Sequence, residues 1–425
     1  SAHFGYFGFA KNQIQPMSKS SHFSGQPLYG QVIKLLDKSK ILAYSRNNGG
    51  ERYIKRFNGW IHLVVMLYAV IMRFDSLREI TASLLAETRK LSHLGITFKI
   101  GRSTLADANR RRTETIFESI YRDLYATYLQ ALSSDSRSGK TPKWMKRLQI
   151  IDSTTITLFS NLLFKGVGRH PKTGKKKGGI KVHTVIRANE GVPSDIKFTS
   201  AATNDSFMLK PTTLSKGDMM AMDRAYIDYE KFEQLTQRGV IYVTKMKKNL
   251  KYAILSDTMY QTPDCLMEVR IKNVEFAKPK KGGETIRHKS RIITYVDAKK
   301  RKLISLLTND MESDPEEIVA IYRQRWEIEL LFKQMKQNFP LKYFYGESAN
   351  AIKIQIWVTL IANLLLMVMR KGLTRQWSFS GLATMVRITL MYYVDFHSLF
   401  NNPEKEWEII LSEASGAPPE PSLFD

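Results

Sequence analysis

Residues 148–158, LQIIDSTTITL, impose the tightest constraint on the fold, because a single carboxylate, Asp152, interrupts a β-branched, apolar run. A run of this composition is a strand. An ionised side chain inside it is costly unless hydrogen bonds or a cation compensate the lost hydration. Taken alone, Asp152 reads as a hydrogen-bonded strand aspartate, and a divalent metal would compensate it as well.

The flanking sequence decides the fold class. Residues 133–146, SSDSRSGKTPKWMK, are polar and rich in small residues, as a linker or domain edge is. Beyond the Asp152 strand, residues 180–186 and 195–199 suggest two more strands, with a turn at Asn189-Glu190-Gly191. Residues 219–222 (MMAM) form a short buried strand ending in Asp223-Arg224-Ala225-Tyr226. A helix over 229–238 and a strand from Gly239 (GVIYVTKM) follow. This order describes an α/β fold with a mixed sheet. Residues 247–310 turn lysine-rich, with alternating segments at 267–276 and 291–296, and read as a β-rich insertion before the next helix.

That helix is expected as one unit over 315–338. Asp314 is its N-cap, Pro315 its first residue and Glu317 completes a capping box, while Asn338 and Pro340 stop it. Tyr322, Arg325, Glu329 and Lys336 fall within an arc of roughly 60° on such a helix. Ile321, Ile328, Phe332, Met335 and Phe339 form the adjoining apolar stripe. On an arbitrary helix the polar stripe would read as a salt-bridge ladder. Here Asp152 and Asp223, each placed by a strand, precede Glu329. Three convergent carboxylates can hold two divalent ions, one activating water and the other stabilising the leaving oxygen of a phosphodiester. Three further helices are expected over 347–412, and the tail from 413 has no core-forming pattern and reads as disordered.

Residues 17–135 read as a helical domain, with apolar periodicity at 28–42, 60–74 and 113–132. Asp75 and Ser103 are the expected caps of two helices between them. Arg102, Arg110, Arg111 and Arg112 make the second of these a DNA-contact element or, equally, a solvated basic face. The whole chain carries 65 Lys+Arg against 40 Asp+Glu, a formal charge of +25. A polyanion is therefore the expected partner, with nucleic acid first and anionic membrane second. Residues 354–369 are nearly long enough to span a bilayer, but Gln355, Thr359 and Asn363 recur on one face, as in a buried helix with polar contacts. The sole cysteine, Cys265, excludes an internal disulfide and a cysteine zinc cage and points to a reducing compartment. No secretory signal is apparent. The chain starts at Ser1, whereas Met17 opens a more natural-looking start, so residues 1–16 are left outside the fold expectation.

The spacing Tyr322-x2-Arg325-x3-Glu329-x6-Lys336 resembles the YREK signature of IS4-type bacterial DDE transposases, with Trp326 after the arginine as in well-known members. Asp152 in IIDSTT and Asp223 in MDRAY match the first two acidic positions, and the region to about residue 120 resembles the helical N-terminal domain of Bacteroidetes relatives. The resemblance covers about residues 25–400. It implies an RNase H-like core (147–246 and 311–412) holding a β-rich insertion (247–310), preceded by an all-helical DNA-binding domain. It also implies cut-and-paste transposition: nicking at the element ends, attack by the freed 3′-hydroxyl and strand transfer. Asp152, Asp223 and Glu329 would bind two Mg²⁺ ions, with Mn²⁺ as an alternative. Tyr322, Arg325 and Lys336, with Trp326 and Lys333 beside them, would hold DNA. The implied partners are duplex DNA, as inverted-repeat ends and target, and a second copy in a synaptic dimer. No membrane is implied, and the expected location is the nucleoid in the bacterial cytoplasm.

Such transposases commonly pass through a DNA hairpin with a flipped base. Where some relatives carry a tryptophan for that base this chain has Ile304, leaving Trp326, Tyr242, Tyr252 or Tyr260 as substitutes. Lys175, Lys176 and Lys177 form either a solvated hairpin or a DNA-backbone contact. His183 reads first as a packed histidine and second as support near the metals, where Arg224 and Tyr226 would also act. Two other functions compete: another RNase H-fold nuclease such as a resolvase, which leaves the insertion unexplained, and a domesticated non-catalytic DNA-binding protein, against which the intact acids argue.

Overall fold

The computed structural model describes residues 25–133, 142–157, 179–188, 190–201, 203–261, 268–279, 283–297, 301–405 and 407–408. Its N-terminal part is helical: α1 (Leu28–Ile33), α2 (Lys38–Asn47), α3 (Gly59–Met72), α4 (Leu77–Ala86), α5 (Thr88–Ser92), α6 (Arg102–Arg111) and α7 (Glu114–Leu132). The single helix expected over 28–42 is two, because the Asp37 carboxylate accepts from the backbone N–H of Ser39 and Lys40 and starts α2 afresh. The other two expected caps shift. Ser76, not Asp75, caps α4 by accepting from Glu79 N–H, and Glu79 accepts in return from Asp75 N–H at 2.9 Å. Ser103 lies inside α6, which begins at Arg102 without a side-chain cap.

The second part is a mixed sheet of β1 (Leu148–Thr157), β2 (Gly179–Arg187), β3 (Pro193–Ser200), β4 (Met219–Met222), β5 (Ile241–Lys245), β6 (Ala253–Gln261), β7 (Glu268–Pro279), β8 (Thr285–Asp297) and β9 (Lys302–Thr308), with α8 (Tyr229–Gln237) between β4 and β5. The order is β3-β2-β1-β4-β5-β9-β8-β7-β6. The strands β1, β2 and β3 are antiparallel, and β4 and β5 run parallel to β1, the RNase H-like arrangement. Gly191 turns the chain from β2 into β3 at φ +68°. The strands β6 to β9 join the same sheet: β9 pairs antiparallel with β5, and β8, β7 and β6 continue as a meander.

The expected helix over 315–338 is broken into α9 (Pro315–Arg323) and α10 (Trp326–Asn338). At the junction Gln324, Arg325 and Glu327 donate to carbonyls three residues back rather than four, a tightened turn. Asp314 starts α9 through its backbone carbonyl only, so the expected capping box does not form. The chain closes with α11 (Ala349–Lys371), α12 (Phe379–Thr389) and α13 (Phe396–Asn401).

By length and composition α11 could cross a membrane, yet it is packed inside the protein against α3 and α7. Gln355 donates to the carbonyls of Pro340 and Tyr343 and accepts from Tyr345 N–H, each at 2.8 Å, and Asn363 accepts from Gln334 at 2.7 Å. These contacts are what the three-residue polar stripe anticipates. The N-terminal helices, α11 and one face of the sheet thus contribute to a continuous apolar core.

Candidate active site

The parallel register pairs Ile151 with Met222, so Asp152 and Asp223 follow side by side at the end of the β1–β4 pair. The helix α9 packs on β4 and β5, and α10 packs on β1. Glu329, in the first turn of α10, thereby comes over the same strand end.

Arg325 links the acids. One guanidinium nitrogen lies 3.6 Å from Asp152 Oδ2 and another donates to Glu329 Oε1 at 2.5 Å. Its guanidinium carbon sits 5.7 Å from the centre of the Tyr322 ring. Burial lowers the Arg325 pKa, but pairing with Glu329, Tyr322 and Asp152 outweighs it and holds the group above its ordinary value. Its Nε is buried without a partner.

Asp152 is under the greatest electrostatic load. Burial pushes its carboxyl up to about 6, and the charges of Asp223 and Glu329 add to this. The Ser153 N–H, 2.7 Å from Oδ1, and Arg325 act the other way without restoring the usual carboxylate range. Tyr226 is buried nearby with an unpartnered hydroxyl, its pKa raised by burial and then by Asp205 and Asp152. Among the described residues no three His, Cys, Asp or Glu side chains are assembled closely enough to hold a metal ion. The three acids share one field, with Arg325 between two of them.

Other candidate residues fall into distinct places. Lys336 donates to Thr155 O at 3.3 Å, and burial lowers its pKa. Lys333 and Trp326 are exposed on α10, the tryptophan at 55%. Arg224 is exposed beside Asp223. His183 is fully buried: Nε2 lies 2.7 Å from Thr199 Oγ1, its ring meets Phe207 edge-on, and burial pushes its pKa down to about 4. It is neutral and packed at neutral pH. Lys175, Lys176 and Lys177 lie outside the described residues.

Two expectations are corrected. Arg112 does not join the exposed face of Arg102, Arg110 and Arg111. It is buried, donating to Gly50 O at 3.1 Å and to Phe57 O, and burial brings its pKa down to about 10. Tyr242 cannot receive a flipped base, because it is fully buried and its hydroxyl is bound to His288 and Ser290, each at 2.8 Å. Tyr252, Tyr260 and Ile304 are half-buried.

Asp205 is the residue that sequence reasoning missed. It accepts from Ser153 Oγ at 2.6 Å, pairs with Lys181 at 3.3 Å, and has His183 Nδ1 at 3.4 Å. Opening a single 3-10 turn (Asp205–Met208) after a polar stretch, it gives no sequence signal of this role.

The transposase DDE domain family matches residues 143–365, and a domain of unknown function, DUF4372, matches residues 24–97. A Sinorhizobium fredii protein named as a transposase, y4zB, is 28% identical over 63% of this chain and 70% of its own length. A Geobacillus stearothermophilus protein named as the transposase of insertion sequence element IS5377 is 24% identical over 64% of this chain and 69% of its own. A solved piggyBac transposase synaptic complex with hairpin DNA aligns with 93% of this chain and 86% of that chain, at 12% identity and a TM-score of 0.45.

Proposed function

Because this chain belongs to the transposase DDE domain family, we propose that it is a cut-and-paste DNA transposase of the YREK type, with Asp152, Asp223 and Glu329 as its cleaving acids. One observation carries the reading. Asp152 is held in mid-β1, just past the last residue paired with β4, with its carboxyl pushed up to about 6, and Arg325 bridges it to Glu329. Holding a half-buried carboxylate in the field of two others is a cost the fold alone does not repay.

The donor chemistry suits a hard divalent ion, since it is all carboxylate oxygen and partly dehydrated, and the three acids, not assembled closely enough in this structure to hold an ion, would draw together on it. Mg²⁺, with Mn²⁺ as the alternative, would supply Lewis-acid stabilisation of the phosphodiester's developing charge and a more acidic water. Asp152, Asp223 and Glu329 would hold it.

The remaining residues manage DNA. Arg325 offers a planar fork that suits phosphate as well as carboxylate, so an arriving phosphate competes with the acids for it. Tyr322 supports the guanidinium from below. Lys336 and Lys333 add point charges along α10, and exposed Trp326 is the aromatic free to stack on an unpaired base. On this reading the protein nicks at inverted-repeat ends, the freed 3′-hydroxyl attacks by way of a hairpin, and two copies join the ends to target DNA.

The test uses labelled duplexes carrying the inverted repeats that flank the gene, incubated with wild type or Glu329→Gln, with Mg²⁺ or EDTA. Metal-dependent nicks at the repeat boundary that vanish in the variant are expected, with a slow hairpin band if Trp326 serves. Equal cutting by both proteins would remove the acids from the reaction.

A further inference from the structure

The segment between α2 and α3, residues 48–58, is built more firmly than a plain connection requires. At its base Arg112 donates to Gly50 O and Phe57 O, tying the two ends of the loop together. Glu51 accepts from Ser45 Oγ at 2.5 Å and from Gly59 N–H at 2.7 Å. A Cβ at Gly50 would come within 2.6 Å of Ser45 Oγ and 2.7 Å of Ile116, so the chain must pass this close.

The tip is the opposite. Tyr53 is 101% exposed and sits in the left-handed region at φ +59°, a conformation that costs a bulky residue on the order of 1 kcal/mol or more. Nothing in the fold repays an exposed, strained aromatic. Arg52, Lys55 and Arg56 surround it, all exposed and without an ion pair among the described residues. The nearby acids do not neutralise them: Glu51 is engaged at the base, and Asp107 pairs with Arg110 at 2.7 Å and Arg111 at 3.9 Å. Between the loop and the start of α6 lies a groove of about 1010 Å³, with Lys99, Ser103 and Thr104 on its far wall.

We infer that this loop is a second DNA-binding element, in which Arg52, Lys55 and Arg56 engage backbone phosphates of duplex DNA and Tyr53 meets a groove between them. The inference rests on the transposase reading for its partner, and on the loop itself for its place. Cations that lack partners, a hydroxyl-bearing wall and a ring held out by a clamped base match phosphate contacts flanking an aromatic wedge. The loop lies outside the matched DDE domain and inside the matched domain of unknown function.

Fluorescence anisotropy of a labelled duplex of arbitrary sequence, titrated with full-length protein at several salt concentrations, tests it. The variant carrying Arg52→Ala, Lys55→Ala and Arg56→Ala should flatten the log–log salt dependence by about 0.9 for each phosphate no longer neutralised, so by roughly 2 to 3 in slope. Tyr53→Ala should weaken binding about 5- to 10-fold at unchanged slope. Tyr53→Gly should weaken it equally while melting at a higher temperature, since glycine relieves the left-handed strain. A gain in Tm alongside a loss in affinity is not what a structural tyrosine would give. If wild type binds duplex and the triple variant matches it in affinity and slope, the loop assignment is overturned while the transposase reading stands. If Tyr53→Ala binds as wild type does, the wedge is overturned. If wild type binds no duplex at all, the transposase reading fails first and the loop with it.

Discussion

Two arginines, the fully buried Arg112 and the half-buried Arg325, look alike in sequence and do opposite work in the fold. Arg112 faces neutral backbone carbonyls of a loop that cannot move away, and burial draws its pKa down to about 10. Arg325 faces two carboxylates, keeps one buried nitrogen without a partner, and is held above its ordinary pKa. The first guanidinium completes a structure. The second pairs with carboxylates of the proposed metal site, where on that reading another cation or a phosphate would compete for it. Burial alone therefore does not mark function; what the charge is paired with does.

The widest break in this comparison should come from the carboxylates. Glu329→Gln is expected to reduce metal-dependent nicking by at least about 10³-fold, read on denaturing gels, with a melting temperature close to wild type. Next, Arg325→Ala should lower nicking by roughly 10²-fold with little change in stability. Its mirror is Arg112→Ala, which strands two buried carbonyls and should cost about 3 kcal/mol in chemical denaturation. If Arg325→Ala proved the more destabilising of the two, the contrast would be wrong. Arg112→Lys keeps the charge but loses the fork, and a loss of about 1–2 kcal/mol is expected.

The smallest effect concerns His62, which is buried beside this clamp with Nε2 2.8 Å from Asn109 Oδ1. Burial, and then the charge of Arg112, push its pKa down to about 3. The folded state thus takes up its proton later than the unfolded chain, whose histidine titrates near 6.5. Stability contributed by keeping it neutral is present above that pH and is lost as pH falls toward 3. Between pH 7 and 5.5 wild type should lose about 1 kcal/mol that His62→Gln does not, measured as the difference in their denaturation midpoints.

Much of the site was legible because its elements carry strong local signals. The run MMAM is β4 residue for residue, since a short apolar stretch bounded by polar residues has few alternatives. Residues 148–157 of the strand expected over 148–158 are β1, and residue 158 lies outside the described residues. What stayed hidden depends on distant partners. No proline or glycine announces the break at Gln324 and Arg325, whose tightened turn forms where α10 meets β1. Arg112 is indistinguishable from Arg110 and Arg111 until the loop at 50–57 folds over it. The strand β6 escaped notice because it is an exposed edge strand with no apolar alternation. Asp205 gains its partners only when its loop reaches back to β1 and β2.

On the proposed reading Asp152, Asp223 and Glu329 hold a divalent ion at the place where Arg325 pairs with two of them. Titrating Mn²⁺ into wild type, Glu329→Gln and Arg325→Ala, with the free ion followed by electron paramagnetic resonance, tests this directly. Binding should be lost in Glu329→Gln and tightened in Arg325→Ala, where the competing guanidinium is gone. Equal Mn²⁺ affinity in wild type and Glu329→Gln would contradict it.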